Sequence, residues 1–522
     1  MALTEKNLRR RLGPALLLAY LAAFFSTLSA GPRGLTERDG YFHARYAQML
    51  PHRGLSRSFP WTQASPWKNR FADKEFLFHV LLAPFSIGEN PIRGALFFGF
   101  LQTLGVFAAF YLLLSLNGAR APAFFTFLLT CMGGPFLLRI SFLRPHVLSV
   151  LLILVALHFL IRDKWKPLAV LGFLYSWTYS FPFILPLIAV PFVLGRLWAR
   201  PDAKPDMRCL WAALGGVAAG LLVHPYAPYS LDSAATYFDI LAVALGRRSA
   251  AAVEVGREFA PYSTRSFLIG FPLLSLIAAG LGLAGWRTTR KPEPETVALL
   301  GVAACSILGT MVYMRSIEYA APLTAAALAF VVRDWLKAPN ADRLQKEFQK
   351  RPWKMRCWAA GAALILLFAH LDGAAYAFRL SSDNEPPRFK KAAQWMSEHL
   401  PEGETVVNLW WDDFPDLFYS GYRQRYIVGL DPTYLLKFDR QTALKLSAMR
   451  TGRAPIDAPW LAERFSARYM ILRRRHAMYY PQLSTRAWRP AYQDEYAAIY
   501  ALTGPYGPPK ELLGLPQIPA LP

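Results

Sequence analysis

The segment DGYFHARYAQML, residues 39–50, begins a few residues after the first long apolar run of the chain. It joins a carboxylate, aromatic rings, a histidine and an arginine in a short stretch. Ionisable groups are costly inside a bilayer, so those that flank a span often line a substrate path. We therefore expect Asp39, His43 and Arg45 to lie on the far side of a membrane, close to its surface.

Composition indicates a polytopic membrane protein with one sizeable water-soluble domain. Hydrophobic residues make up 54% of the 522 residues, and the mean hydropathy is +0.21. These values are too apolar for an ordinary soluble protein and too polar for membrane spans alone. Much of the net charge of +23 lies in short loops between apolar runs, where it sets orientation. Nucleic acid is therefore not predicted as a partner.

The basic residues predict about eleven transmembrane helices. Lys6 and the arginines at 9–11 precede the first apolar run, which predicts a retained first helix and a cytoplasmic N-terminus. Residues 76–88 are apolar but short, and counting them as a span would put the later basic loops outside. We predict an interfacial or re-entrant segment there. The predicted spans are about 12–30, 94–116, 121–138, 147–161, a proline-broken hairpin at 168–195, 209–225, 266–286, 296–313, 317–332 and 357–378.

The chain is predicted to form two domains. Residues 1–378 form the transmembrane domain, with outer loops at 31–93 and 226–265, and residues 379–522 form a C-terminal extracytoplasmic α/β domain. All four cysteines lie in or beside apolar runs, so no disulfide framework is predicted in the tail. The predicted strands of the tail are TVVNLW (405–410), RYIVGL (425–430) and ARYMIL (467–472). The predicted helices are FKKAAQWMSEHL (389–400) and a segment near 439–450.

Five polar clusters fall on the outer face in this topology. Carboxylates that can activate an acceptor, together with cations that can stabilise a phosphate leaving group, fit group transfer from an anionic, lipid-linked donor. Asp39, with a loop glutamate, could be the base or could bind Mg²⁺ or Mn²⁺ through oxygen. The other clusters are RISFLRPH (139–146) with Arg144 and His146, EVGREFAPY (254–262) with Glu258, MRSIEY (314–319) with Arg315 and Glu318, and NLWWDDFPD (408–416) with Trp410, Trp411 and Asp412.

DGYFHAR after a first span resembles the acidic motif of GT-C class membrane glycosyltransferases, most closely that of the oligosaccharyltransferase catalytic subunit. WWDD (410–413) resembles the Trp-Trp-Asp motif of the same family, Glu258 its loop glutamate and Arg315 its arginine near a late span. The resemblance implies a GT-C-like fold. The site residues that it and the clusters together predict are Asp39, His43 and Glu258 for catalysis, Arg45, Arg144 and Arg315 for the donor phosphate, and Trp410, Trp411 and Asp412 for the acceptor.

Two departures from the family pattern affect these expectations. The second outer loop of the family carries acids that complete a metal site, whereas RISFLRPH has none. A divalent cation, Mg²⁺ or Mn²⁺, would then be held by Asp39 with His146 or His43. The tryptophans are followed here by Asp413-Phe414 rather than Tyr-Gly, so an asparagine-sequon acceptor is not implied.

The sequence thus predicts an integral membrane glycosyltransferase of a bacterial inner membrane. It would transfer a sugar or oligosaccharide from a polyprenyl-(di)phosphate donor, by a single displacement, to an acceptor on the outer face. The acceptor could be a protein, a lipid or a glycan. A transporter or flippase for a lipid-linked anion is the alternative, and a non-catalytic membrane scaffold is a third possibility that leaves the clustered charges unexplained.

Overall fold

The structure, a computed structural model, describes residues 5–30, 34–202, 206–244, 260–287, 293–337, 346, 349–382, 386–480, 483 and 487–507. A helix occurs at each predicted span. The helices of the apolar part are α1 (Glu5–Ala30), α2 (Asp39–Arg53), α3 (Phe76–Leu82), α4 (Pro91–Leu116), α5 (Pro122–Leu129), α6 (Gly134–Ile140), α7 (Pro145–Ile161), α8 (Trp165–Thr178), α9 (Ile184–Ala199), α10 (Arg208–Leu222), α11 (Tyr229–Ala244), α12 (Thr264–Gly270), α13 (Pro272–Arg287), α14 (Pro294–Thr310), α15 (Ile317–Trp335) and α16 (Pro352–Ser382).

Two of the predicted spans are bent rather than straight. Helices α5 and α6 meet at 96°, and α12 and α13 meet at 103°. By length and composition, four of the described helices can cross a membrane, or six if each bent pair counts as one span. The shorter helices α7, α8, α9, α10 and α14 would have to cross as well for the count of about eleven, which stays a prediction.

Proline and glycine account for much of the local geometry of the bundle. Proline occupies the first turn of α4, α5, α7 and α14, where its missing N–H removes no helical hydrogen bond. Helices α8 and α10 approach closely because α10 carries glycines at the contact. A Cβ on Gly216 would lie 2.3 Å from the Ala169 carbonyl oxygen, and one on Gly220 would lie 2.1 Å from Ser176 Oγ.

Residues 76–85 form a short helical segment with one face packed against the protein, whereas Val80 and Leu81 are exposed. Helix α3 continues into a single 3₁₀ turn at Ala83–Phe85. Phe78 and Leu82 are buried in a cluster with Tyr41 of α2 and Phe98 of α4. The segment is shorter than a membrane span and packs against α2. Its interfacial or re-entrant position stays a prediction.

The C-terminal part contains a mixed five-stranded sheet. Its strands are β1 (Thr405–Val407), β2 (Arg425–Tyr426), β3 (Tyr469–Arg473), β4 (Trp488–Gln493) and β5 (Ala497–Leu502), in the order β2-β1-β3-β5-β4. Strand β1 is parallel to β2 and β3, whereas β5 is antiparallel to β3 and β4. The helices of this part are Lys390–His399, Phe414–Ser420, Pro432–Phe438, Arg440–Arg450, Ala458–Phe465 and Arg474–Ala477.

Strand β1 ends earlier than its apolar sequence suggests, because a side chain replaces the next ladder bonds. Asn408 Oδ1 accepts the backbone N–H groups of Ile427 and Val428 at 3.0 and 3.1 Å. Such a side chain competes with the regular ladder of the sheet. The chain is thereby released at Trp410, where it can turn away from the sheet.

The first outer loop and the C-terminal sheet share one core. Thr62 bridges to Tyr426 beside β2, and the Trp61 indole donates to the Tyr422 carbonyl at 2.6 Å. Phe59 and Phe71 of the loop are buried with residues of the sheet. The segment between α1 and α4 therefore packs with the C-terminal part rather than apart from it. This packing brings the start of α2 against the C-terminal part.

Candidate active site

A cavity of about 350 Å³ lies where α2, the start of α7, the turn before α15 and the C-terminal part meet. Its volume is within the range of small-molecule sites, roughly 300–1,000 Å³. Cationic and anionic side chains line it together with aromatic rings. The predicted site residues that line it are Asp39, His43, Arg144, His146, Arg315, Trp411 and Asp412.

Arg144 joins the second outer loop to the first. It precedes Pro145, which opens α7 and holds Arg144 in an extended conformation. Its guanidinium donates to both carboxylate oxygens of Glu37, at 2.6 and 2.7 Å, and also to Asp39. Asp39 is the first residue of α2, where a carboxylate is favoured by the helix dipole. The result is a fixed carboxylate at the cavity wall.

The electrostatics of this group keep Arg144 charged. Burial of the guanidinium disfavours its charge, but Asp39 and Glu37 outweigh this effect and hold the pKa of Arg144 above its usual value. An arginine that contacts two carboxylates is well suited to orienting them. We interpret Arg144 as the residue that positions Asp39.

The residues around Asp39 fit a divalent cation poorly. Arg144 already places positive charge between Asp39 and Glu37. The other predicted ligand, His146, directs its Nε2 to the Arg139 carbonyl oxygen at 2.9 Å and lies 3.7 Å from Glu318. The loop without acids thus contributes a guanidinium at the place where the family pattern has metal-binding carboxylates.

Arg315 reaches the cavity from a 3₁₀ turn between α14 and α15, residues Met314–Ser316. The turn is tied down by a hydrogen bond from the Met314 N–H to the Ala260 carbonyl at 3.1 Å. The buried Glu318 of the same cluster pairs with Arg139 of α6, because α6 packs against α15.

The Trp-Trp-Asp-Asp segment divides its side chains between the cavity and the core. Trp411 and Asp412 line the cavity. Arg473 of β3 donates to Asp412 Oδ2 at 2.6 Å and also contacts the buried Asp413. Asp412 Oδ1 is buried and has no hydrogen-bond partner within the described part of the chain. Trp411 and Asp412 are therefore the two residues of this segment at the cavity wall.

No protein-family model matches the sequence, and no curated protein matches it significantly. Solved structures match nearly all of it. The oligosaccharyltransferase AglB from Archaeoglobus fulgidus, with an inhibitory peptide and a dolichol-phosphate, is 14% identical over 95% of this chain and 74% of its own, with a TM-score of 0.65. The arabinofuranosyltransferase AftD from Mycobacteria is 15% identical over 96% and 42%, with a TM-score of 0.55.

ArnT from Cupriavidus metallidurans, bound to undecaprenyl phosphate, is 15% identical over 95% of this chain and 99% of its own, with a TM-score of 0.50. All three proteins are GT-C glycosyltransferases. The chain has the GT-C fold. The fold that DGYFHAR and WWDD predicted by resemblance is thereby confirmed.

Two of the described site residues that were predicted, Arg45 and Trp410, do not line the cavity of this GT-C fold. The Arg45 Nε donates to the Tyr419 carbonyl at 2.8 Å, and its guanidinium lies over the rings of Tyr419 and Tyr422. The Trp410 ring packs against His476, with centroids 4.3 Å apart. Both residues fasten the C-terminal part rather than line the cavity. Glu258 lies outside the described residues.

Other residues that line the cavity of the GT-C fold were not predicted from the sequence. One of them is Lys74. Its ammonium donates to the Tyr237 hydroxyl at 2.8 Å and lies 5.9 and 5.7 Å from the ring centroids of Trp67 and Tyr434. Glu37 had not been singled out, although its spacing of two from Asp39 could have suggested a pair of acids. Arg388 gave no motif signal.

His43 lines the cavity and is the first member of a buried hydrogen-bonded series. Its Nδ1 lies 2.9 Å from His79 Nε2, and His79 Nδ1 lies 2.9 Å from both oxygens of Asp73. Burial, followed by the neighbouring His79, holds the pKa of His43 well below its usual value. His79 and Asp73 were not predicted as site residues, because they lie 36 and 30 positions from His43 in the sequence.

Asp413 predicts a pH dependence of stability. Burial raises its pKa to about 7, although Arg473 opposes the shift. An unfolded aspartate has a pKa of about 3.9, so between these values the folded chain binds a proton that the unfolded chain has released. The stabilisation is complete below about pH 4 and is lost as the pH rises through about 7.

We therefore expect the unfolding temperature of Asp413→Asn to fall less than that of the wild type between about pH 5 and pH 8, by about a few degrees. Thermal unfolding of the full chain in lipid measures it. The exposed Asp202 provides the control Asp202→Asn, which should follow the wild type. Parallel curves for wild type and Asp413→Asn would contradict the assignment.

Proposed function

We propose that this protein is a membrane glycosyltransferase that uses a polyprenyl-phosphate or polyprenyl-diphosphate sugar donor. The proposal rests on one observation. A single cavity in a GT-C fold brings together the Asp39 carboxylate, the Arg315 guanidinium and the Trp411-Asp412 pair of the C-terminal part. Dolichol-phosphate and undecaprenyl phosphate, the lipids bound in the AglB and ArnT structures, support a donor of this class.

The proposed reaction is a single displacement at the anomeric carbon. The acceptor nucleophile forms the new bond to this carbon while its proton passes to Asp39. The bond from the anomeric carbon to the phosphate oxygen breaks, and its electron pair stays on the phosphate. Arg315 stabilises the charge that develops there. Arg144 holds Asp39 through the shared contact with Glu37, so its proposed role is positioning rather than phosphate binding.

The proposed orientation has the cavity on the extracytoplasmic face of a bacterial inner membrane. Basic loops, such as the one that contains residues 162–167, support it, since they lie at the ends of helices that lead away from the cavity residues.

The test is donor turnover by the full chain reconstituted in lipid vesicles. Lipid-linked sugars extracted from membranes serve as the donor, and release of polyprenyl phosphate or diphosphate is measured by mass spectrometry. We expect release only when the protein is present. If the donor crosses the vesicle membrane with its sugar still attached, the transporter hypothesis replaces the enzyme.

Trp411 and Asp412 are proposed to contact the acceptor. Packing of an acceptor group on an aromatic ring needs an accessible ring face, and Trp411 lines the cavity. Trp411→Ala should raise the acceptor KM by about 10-fold or more while leaving the KM for donor unchanged. Steady-state kinetics with both substrates varied separates the two. Trp395→Ala, at a ring that packs on His399 and Tyr492 in the C-terminal part, is the matched control.

A further inference from the structure

A second cluster of polar side chains lies beside Asp39 and has the composition of a metal site. His43, Glu75 and His79 are buried, and each has a ligand atom within 4.8 Å of the others. Two imidazoles and one carboxylate are a familiar ligand set for zinc with an open fourth position. The cluster is separate from the Asp39–Arg144 pair, where a guanidinium already supplies the positive charge.

Two neighbouring helices bring the three proposed ligands together. Glu75 immediately precedes α3, and His79 follows it by four positions, so one helical turn separates them. His43 lies on the neighbouring helix α2. Phe42 and Phe78 pack edge-on against the His43 ring, with centroids 5.4 and 5.1 Å away. The rings limit rotation of the imidazole.

Asp73 acts as the outer partner of His79. Both of its carboxylate oxygens lie 2.9 Å from His79 Nδ1, and one of them also accepts the Glu75 N–H at 3.1 Å. In a neutral imidazole, Nδ1 then carries the proton, and the lone pair of Nε2 faces His43. A carboxylate behind a histidine in this way orients metal-binding histidines in many proteins.

The distance between the two histidine nitrogens allows a metal ion to replace the proton of their hydrogen bond. His79 Nε2 and His43 Nδ1 lie 2.9 Å apart, whereas zinc–nitrogen bonds of about 2.0–2.1 Å in a tetrahedron separate the ligand atoms by about 3.3 Å. A small opening of the pair is therefore sufficient. Within the described part of the chain, Glu75 forms an ion pair with Lys74 Nζ at the long distance of 4.0 Å, so a rotation of Glu75 toward the histidines breaks no short ion pair there.

We propose that His43, Glu75 and His79 bind one divalent transition metal ion of the zinc class, with Asp73 as the outer partner of His79. His43 and Glu75 both line the main cavity, so the fourth coordination position faces the space proposed for the donor. The ion takes the place of the Mg²⁺ or Mn²⁺ expected at Asp39. The assignment does not depend on the proposed glycosyl transfer, because it is tested by binding alone.

The experiment is metal binding by the full chain in detergent after removal of metals with a chelator. Zinc is titrated by calorimetry, and bound metal is counted by mass spectrometry after desalting. We expect one zinc ion per chain. Glu75→Gln and His79→Asn should each weaken binding more than about 100-fold. His52→Asn, at an exposed histidine of the same helix as His43, is the control and should bind zinc as the wild type does.

X-ray absorption of the zinc-loaded wild type keeps the test independent of whether the variants fold. It should show only nitrogen and oxygen ligands, including two imidazoles. Binding of zinc by folded Glu75→Gln and His79→Asn with the affinity of the wild type would overturn the proposal. So would a folded wild-type protein that binds no zinc, and in that case the residues form a hydrogen-bonded series only.

Discussion

Asp39→Asn is expected to lower donor turnover by about 10²- to 10⁴-fold, the usual contribution of a positioned general base. The amide keeps the shape of the side chain but cannot take the proton of the acceptor. Arg144 retains its two hydrogen bonds to Glu37 in this variant, so the folded structure should persist. Release of polyprenyl phosphate or diphosphate under saturating substrates measures the loss.

A second aspartate of the chain offers a matched control for Asp39. Asp163 also accepts from a guanidinium, that of Arg196, at 2.5 and 3.0 Å, but it lies in the loop between α7 and α8. Asp163→Asn should turn over donor as the wild type does. If Asp39→Asn retains turnover within about tenfold of the wild type, another group takes the proton and the mechanism has to be rewritten.

Arg315→Ala is expected to lower kcat by about 10²- to 10³-fold, because it removes the positive charge that stabilises the negative charge developing on the leaving phosphate. Arg315→Lys keeps the charge but loses the planar fork that matches phosphate geometry, so it should recover part of the activity. Single-turnover kinetics with limiting donor measures the chemical step without product release.

Arg120→Ala, at an exposed arginine in the loop before α5, is the control for loss of positive charge. It should behave as the wild type. A rise in donor KM with unchanged kcat in Arg315→Ala would place Arg315 in ground-state binding of the donor rather than in stabilisation of the leaving group. A change of less than about threefold in both constants would remove Arg315 from the site.

Local sequence patterns predicted the helices of the long apolar runs well, because such a run carries its structural preference within itself. They missed α2 and α11, which lie in the predicted outer loops. The same patterns predicted β1, β2 and β3 but missed β4 and β5. Strand β4 contains Pro490 and several polar residues, and its pairing with β5 compensates for a weak local preference. The bends in the spans at 121–138 and 266–286 also escaped prediction.

The sequence by itself determined which residue types are available for chemistry and on which helix or loop each lies. Asp39, Arg315, Trp411 and Asp412 were singled out in this way and line one cavity, whereas their roles stay predictions. Only the tertiary structure decided their partners. Arg144 contacts Asp39, although 105 positions of sequence separate them. Arg45 lies against the rings of two tyrosines instead of facing the cavity. His79 and His43 form a hydrogen bond. These choices depend on long-range packing and on the cost of burying a charge without a partner, which no local pattern encodes.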